Sequence, residues 1–457
     1  MSKFFFLAVC LFFSDAAFTQ SSDSAVIKTI ADEVMLRSQA YENLRFLCKK
    51  IGPRLSGSAN AEKAVMATAK MLKAAGADTV YLQPCMVTHW IRGAKESGSV
   101  MVNGKIFPLQ LCALGNTVGT DSKGVSASVI EVKNFEELVQ LGAAVKGKIV
   151  FFNIGMDPRH IRTFRAYGES GIGRRSGPAQ AAKYGALGVM VRSLASNVDD
   201  YPHTGATVYN DSFPKIPAVA ISTKNAEWLS AQLKKNKDIT AYFKTNCQLL
   251  PDAPSYNVIG EIRGSQYPAE IITVGGHLDS WDLAEGAQDD GAGCMQSIEV
   301  IRALIASGLR PKRTIRAVMF MNEENGSGGA RAYLASAKSK KETHLFALES
   351  DAGGFTPKGF SLDMTQQQME KIKEWKPLFE NYQATEFGKG GGGSDIGPLK
   401  VLGTALAGFM PDSQRYFDLH HAATDVFESV SKRELDLGIV NMAALTWLVS
   451  EYGLKKM

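Results

Sequence analysis

The stretch 275-GGHLDSWDLAEGAQDDGAGC-294 constrains this chain more than any other. It follows an apolar, β-branched run, 271-IITV-274, that reads as a buried strand. It then carries one histidine, His277, and five carboxylates: Asp279, Asp282, Glu285, Asp289 and Asp290. Like charges that close repel one another. Burying them costs several kcal/mol each unless something positive pairs with them. No cluster of Lys or Arg lies in the segment. A divalent cation would answer the charge, and it would need further ligands from elsewhere in the chain.

Downstream, apolar strands keep ending in polar, chemically useful residues. The strand 314-TIRAVMFM-321 runs into 321-MNEENGSGG-329, with Glu323 and Glu324. The strand 344-HLFALES-350 runs into Glu349 and Asp351. Near the C-terminus, 416-YFDLHHAATD-425 supplies His420 and His421. Each group has a plainer reading alone. A single Asp after a strand is more often a helix N-cap, and paired Glu suit the first turn of a helix. Their recurrence at the end of strand after strand is what points to a site.

Strands 257–262, 271–277, 314–321 and 344–350 alternate with helices near 291–307 and 329–340, the pattern of a doubly wound, mostly parallel α/β sheet. Such sheets bind ligands at the carboxyl ends of their strands. Ahead of them, residues 26–50 and 60–77 read as helices and 78–84 as a strand. Short β-rich pieces at 126–132, 148–153, 188–193 and 216–222, with a helix at 178–188, form a separate small α/β module. The expected division is 1–20, 21–107, 108–250 and 251–457.

The first segment, 1-MSKFFFLAVCLFFSDAAFTQ-20, has a positive start, ten apolar residues and small residues after them. It reads as a cleaved secretory signal, because a membrane span needs about 20 apolar residues. No later segment is apolar and long enough to span, so a secreted or periplasmic protein is expected. Net charge is +5 over 457 residues, with no basic run of the kind that binds nucleic acid. Cys48, Cys85, Cys112, Cys247 and Cys294 remain after the signal, without a C-x-x-C spacing, and read as buried thiols.

Carboxylate oxygens and imidazole nitrogens suit Zn²⁺. Two His and three carboxylates, one of them bridging, would hold two metals about 3.5–4 Å apart. An acid that is not a ligand would serve as the base, and Glu323-Glu324 supplies one of each. The ordered pattern His-x-Asp, Asp-Asp-x-x-Gly, Glu-Glu, Ser-Asp-x-Gly and a late His resembles the M28 di-zinc peptidases, in their carboxypeptidase branch. The matching stretches are 51-IGPRLSGS-58, 202-PHTG-205, 276-GHLDSWD-282, 286-GAQDDGAG-293, 308-GLRPKRT-314, 350-SDAG-353, 394-SDIGPL-399 and 420-HH-421.

The resemblance implies a zinc exopeptidase fold whose module 108–250 is an inserted protease-associated domain. It implies His277, Asp289, Glu324, Asp351 and His421 as ligands of two Zn²⁺, with Asp289 bridging. Asp290 and His420 are the runners-up. It implies Glu323 as general base and Asp279 as the acid that orients His277. His420, Ser394 and Asp395 are candidates for the substrate or oxyanion. The chain departs from the family pattern after the late His, with Ala422 and Val426. The expected substrates are short peptides, chiefly unblocked dipeptides, and the expected assembly is a homodimer. An aminopeptidase of the same family shares the ligand set. A binding module would have lost ligands, and simple cyclases of this fold lack the inserted module. Arg162, Arg165, Arg174 and Arg175 could neutralise a substrate carboxylate, but the plainer reading is solvated loop charges.

Overall fold

The computed structural model describes residues 12–236 and 238–454, with side chains from Ser22 onward. The expected signal segment therefore lies outside the described residues up to position 11, and in its side chains up to 20. No helix among the described residues is long and apolar enough to cross a membrane.

One eight-stranded sheet carries the strand ends singled out above. Its spatial order is Thr79–Ile91, Gln248–Ile262, Arg313–Phe320, Tyr267–His277, Thr343–Glu349, Ala405–Pro411, Pro357–Asp363 and Glu386–Lys389. The central strands are parallel, from Arg313–Phe320 across to Ala405–Pro411. The flanks are mixed. Thr79–Ile91 and Gln248–Ile262 pair antiparallel, as do Gln248–Ile262 with Arg313–Phe320 and Pro357–Asp363 with Ala405–Pro411. The sheet is thus mixed, with a parallel centre and antiparallel pairings on both flanks. On one flank the chain leaves along Thr79–Ile91 to build a second sheet and returns beside it along Gln248–Ile262, so the two strands must oppose.

Side chains alternate across the central strands, and both faces are covered. Ile272, Val274, Ile315, Ala317 and Met319 join one buried cluster with the helices Ala292–Ala306 and Lys432–Tyr452. Val318, Phe320, Ala347 and Leu406 point the other way, to Tyr333, Ile396 and Leu399. Ala292–Ala306 is buried along almost its whole length, so it lacks the polar stripe of a surface helix. Ala59–Ala74 starts where the Ser58 side chain accepts the Ala61 N–H. The expected helical run 26–50 is broken at Ser38 and Gln39, between Phe12–Arg37 and Ala40–Phe46.

The second sheet is also eight-stranded and mixed. Its strands run from Ser97–Val102 to Thr240–Lys244, against an expected segment of 108–250. Ile149–Phe152, Gly188–Arg192 and Ala218–Ile221 form its parallel centre, beside Val125–Val132. Cys48, Cys85, Cys112, Cys247 and Cys294 are free and buried.

Candidate active site

Register brings the strand ends level. His277 pairs with Phe320, and Gly275 pairs with Glu349. The turns after these three strands therefore leave the sheet at one edge. They carry His277, Glu323 with Glu324, and Asp351. His421 reaches the same edge from the segment ahead of the last helix.

Asp289 stands at the centre. Its Oδ1 lies 3.1 Å from His277 Nε2. Its Oδ2 lies 3.2 Å from His421 Nε2 and 3.7 Å from His420 Nε2. His277 Nε2 is also 3.5 Å from Asp351 Oδ1, and His421 Nε2 is 3.1 Å from Glu324 Oε2. The five expected ligands thus fall into two groups that share Asp289: His277 with Asp351, and Glu324 with His421. Asp290 also lies within ligand distance of His277 and Asp351, and His420 lies within ligand distance of Asp289 and His421. Asp290 is engaged elsewhere, however. Its Oδ2 accepts the His277 backbone N–H at 3.0 Å and its Oδ1 accepts that of Gly293 at 2.9 Å. His420 stacks on His421 with ring centroids 3.5 Å apart, one step further from Asp289.

Both imidazoles have their second nitrogen fixed. His277 Nδ1 bonds the backbone carbonyl of Asp279 at 2.9 Å, and His421 Nδ1 bonds that of Thr204 at 3.2 Å. A carbonyl only accepts, so in each ring Nδ1 carries a proton, and Nε2 is the nitrogen turned toward the acids, able to serve as a ligand atom once it gives up its own proton. For Asp279 the hydrogen bond to the imidazole is a main-chain one, with the carboxylate at the edge of ion-pair range. Its carboxylate is 3.8 Å from His277 Nδ1. Its oxygens instead accept the backbone N–H groups of Asn322, Glu323 and Glu324 at 2.7, 3.0 and 3.3 Å. Asp279 therefore orients the imidazole through its main chain and shapes the Glu323-Glu324 turn through its side chain. That turn is tight, with Asn322 at φ 75°.

The electrostatics are those of too many acids in one dry place. Burial raises Asp279, Asp290 and Asp395, and lifts Asp351 to about 6, Asp425 to about 7 and Glu324 and Glu349 to about 8. Burial acts the same way on Asp289, but the imidazoles on either side hold it well below the ordinary range. Burial would lower His277 and His421, yet the facing carboxylates, Asp351 and Glu324 first, raise both well above theirs.

This donor set fits divalent metal. Asp289 Oδ2 and Glu324 Oε1 are buried and take no hydrogen bond, which is costly for a carboxylate oxygen unless a cation meets it. Tetrahedral ligands about 2.0–2.2 Å from a metal lie roughly 3.3–3.6 Å from one another, and the contacts between these donors run from 3.1 to 3.5 Å. A pocket of about 10 Å³ opens between Asp289, Glu324, His421 and Trp281, room for one small particle.

A larger cavity of about 840 Å³ adjoins Asp351. Its wall is the glycine loop Gly390, Gly391, Gly392, Gly393 and Ser394, with Arg162 and Phe164 reaching in from the second sheet's module. Glu349 supports the loop from behind. It accepts the backbone N–H groups of Ser394, Asp395 and Ile396 at 2.8, 3.0 and 2.9 Å. Ser394 faces the cavity. Asp395 is buried behind it, with both carboxylate oxygens unpaired. Glu323 is half-buried at the rim of the acid cluster.

Two residues named from the sequence have roles there that it does not reveal. Glu349 is a strand-end acid whose role depends on a loop 45 positions later. Arg174 is not a solvated loop charge: it is 6% exposed and sits against His421. Its helix, Ile172–Arg175, turns it inward while Arg175 stays exposed. Arg165 pairs with Glu169 on the surface.

Residues 257–446 match the family model of peptidase family M28. Carboxypeptidase Q of Bos taurus is 35% identical over 416 residues, covering 91% of this chain and 85% of that protein. Carboxypeptidase Q of Homo sapiens matches to the same extent. Among solved structures, a peptidase M28 precursor from Shewanella amazonensis SB2B superposes with a TM-score of 0.91 at 29% identity, over 96% of this chain and 99% of that one. The zinc aminopeptidase BSAP of Bacillus subtilis shares the fold, with a TM-score of 0.63 at 21% identity over 92% of this chain and 95% of that one.

Proposed function

Because this chain belongs to peptidase family M28, we propose that it is a secreted zinc exopeptidase that hydrolyses short peptides, chiefly unblocked dipeptides. The observation that carries the reading is Asp289, with one carboxylate oxygen turned to each of two imidazoles. On that reading His277, Asp289 and Asp351 hold one Zn²⁺, and Asp289, Glu324 and His421 hold the other. Bound there, zinc supplies Lewis acidity, lowering the pKa of a water and polarising the scissile carbonyl.

The chain's own residues supply the rest. Glu323 is the general base. Its backbone N–H is tied to Asp279, and it stands at the rim of the cluster. Its carboxylate takes a proton from the attacking water and returns it to the leaving amine. His420, beside His421, is the side chain available to donate toward the developing oxyanion. The cavity beyond Asp351 has the size of a small-ligand site. It carries both signs of charge, Arg162 and Lys358 against Glu386 and Asp412, as a substrate with a free ammonium and a free carboxylate requires. The module 97–244 is read as an inserted protease-associated domain, and the assembly as a homodimer by resemblance to the family.

Amino-acid release from free, N-acetylated and C-amidated dipeptides tests this, each with zinc and with a chelator. Loss of cleavage under both modifications is expected. Cleavage that survives acetylation alone means a carboxypeptidase. Cleavage that survives amidation alone means an aminopeptidase, the second reading, which the BSAP fold likeness favours. No zinc-dependent release from any of them overturns the proposal.

A further inference from the structure

The 202-PHTG-205 stretch lies in the second sheet's module, far from the acid cluster in sequence, yet it is clasped to the late His pair. The Thr204 backbone N–H donates to the His421 carbonyl at 3.0 Å, and the Thr204 carbonyl accepts from His421 Nδ1 at 3.2 Å. His203 Nδ1 donates to the His420 carbonyl at 2.6 Å. Three hydrogen bonds thus join two consecutive residues of the module to two consecutive residues of the site. All four residues are buried.

Arg174 braces the clasp. Its Nη1 lies 3.4 Å from both the Thr204 carbonyl and His421 Nδ1, and its Nη2 donates to the Tyr167 hydroxyl at 2.6 Å. It fits only because position 205 is glycine. A Cβ on Gly205 would lie 2.4 Å from Nη1, and the backbone there has φ +132°. The module also closes over the outer face of the pair, where Tyr167 meets His420 edge-on at 4.9 Å.

His421 needs such a hold. Its backbone has φ 64°, a left-handed conformation that a side-chain-bearing residue keeps only where its surroundings impose it. The clasp fixes that backbone from both sides. It also fixes the ring, because a proton held on Nδ1 by the Thr204 carbonyl leaves Nε2 as the ligand atom toward Asp289 and Glu324.

We propose that His203, Thr204 and Arg174 are positioning residues for the metal ligand His421, so that the second module governs metal occupancy of the Asp289–Glu324–His421 group. This rests on the zinc reading above. Partners of this outer kind shift metal affinity by about 10–100-fold.

The test is zinc titration of the chelator-stripped full chain against a chromophoric competitor, with thermal unfolding as the folding check. Wild type is expected to take two equivalents. His203→Leu, which removes the donor to His420, should weaken one equivalent about 10–100-fold and leave the other unchanged. Its KM should stay put, and its kcat should recover with excess zinc. His203→Asn restores an N–H near the Nδ1 position and should bind within a few-fold of wild type. Arg174→Lys keeps the charge but loses the fork, and should show the same selective loss, which serves if His203→Leu does not fold. Variants that fold but titrate like wild type overturn the inference, as does unchanged zinc affinity with a raised KM. A wild-type chain that takes up no zinc overturns the zinc reading itself.

Discussion

His277 and Asp290 are joined through the main chain of one and the side chain of the other: Asp290 Oδ2 accepts the His277 backbone N–H at 3.0 Å. The adjacent acid, Asp289, meets the same histidine at its ring instead, with Oδ1 3.1 Å from Nε2. Two neighbouring aspartates thus divide the work on one imidazole. One fixes the strand end and the other faces Nε2 of the ring.

Asp289→Asn and Asp290→Asn should therefore fail in different ways. Asp289→Asn leaves one oxygen where two now serve the two donor groups, so one group loses its shared ligand atom and the link between them is broken. Zinc content should drop, and activity should fall at least about 100-fold, beyond the usual effect of an outer partner. Asp290→Asn turns an amide toward the N–H of His277 or of Gly293. It should lower unfolding free energy by about 1–3 kcal/mol, with zinc content largely kept at temperatures where the chain is folded. Metal analysis and thermal unfolding of both variants separate the two roles.

Glu323 and Glu324 are adjacent, but only Glu324 contacts His421. Glu323→Gln should retain both zinc equivalents and lose about 10²–10⁴ in kcat, the range a positioned general base supplies. Glu324→Gln should lose metal and activity together. If zinc content falls with activity in Glu323→Gln as well, the division between base and ligand is wrong.

His203 sets a pH dependence of stability. Burial first, then the nearby His421 and Arg174, push it from an ordinary 6.5 down to about 4, against the hydrogen bond to His420. Between those values the unfolded chain binds a proton that the folded chain excludes. Its contribution is therefore intact above about 6.5 and is lost as pH falls toward 4, in total roughly 3 kcal/mol. His203→Asn cannot take up that proton. Unfolding free energies measured from pH 8 to pH 4 should show the variant gaining on wild type by about that amount across the window. Parallel curves would mean that His203 does not titrate there.

The strand ends were legible in the sequence because parallel strands concentrate chemistry at their carboxyl ends. Each of His277, Glu324 and Asp351 follows its own apolar run, so periodicity alone brings them to one edge. The runners-up were not separable that way. Asp289 and Asp290 differ only in where their oxygens point, which the turn backbone decides. The antiparallel flank was missed because a linker strand and its return read alike, whichever way they run. Arg174 was misread because its partner is 247 positions away. A guanidinium in a polar loop looks solvated until the second module is folded against His421.

The glycine loop offers the sharpest test of the cavity wall. Gly393 has φ +134°, and a Cβ there would lie 2.3–2.5 Å from the carboxyl group of Glu349. Glu349 in turn accepts three consecutive N–H groups from the residues that follow. Gly393→Ala must push that carboxylate aside, leaving buried donors unmet at about 1–3 kcal/mol each, and must hold an unfavourable backbone as well. The variant should unfold at lower temperature and show a KM for dipeptides raised several-fold, with zinc content unchanged. Gly388→Ala is the matched control, since a Cβ there meets nothing within 4 Å. It should stay within about 0.5 kcal/mol of wild type, as surface changes usually do. If Gly393→Ala leaves KM untouched while Tm falls, the loop supports the fold without lining the substrate's path.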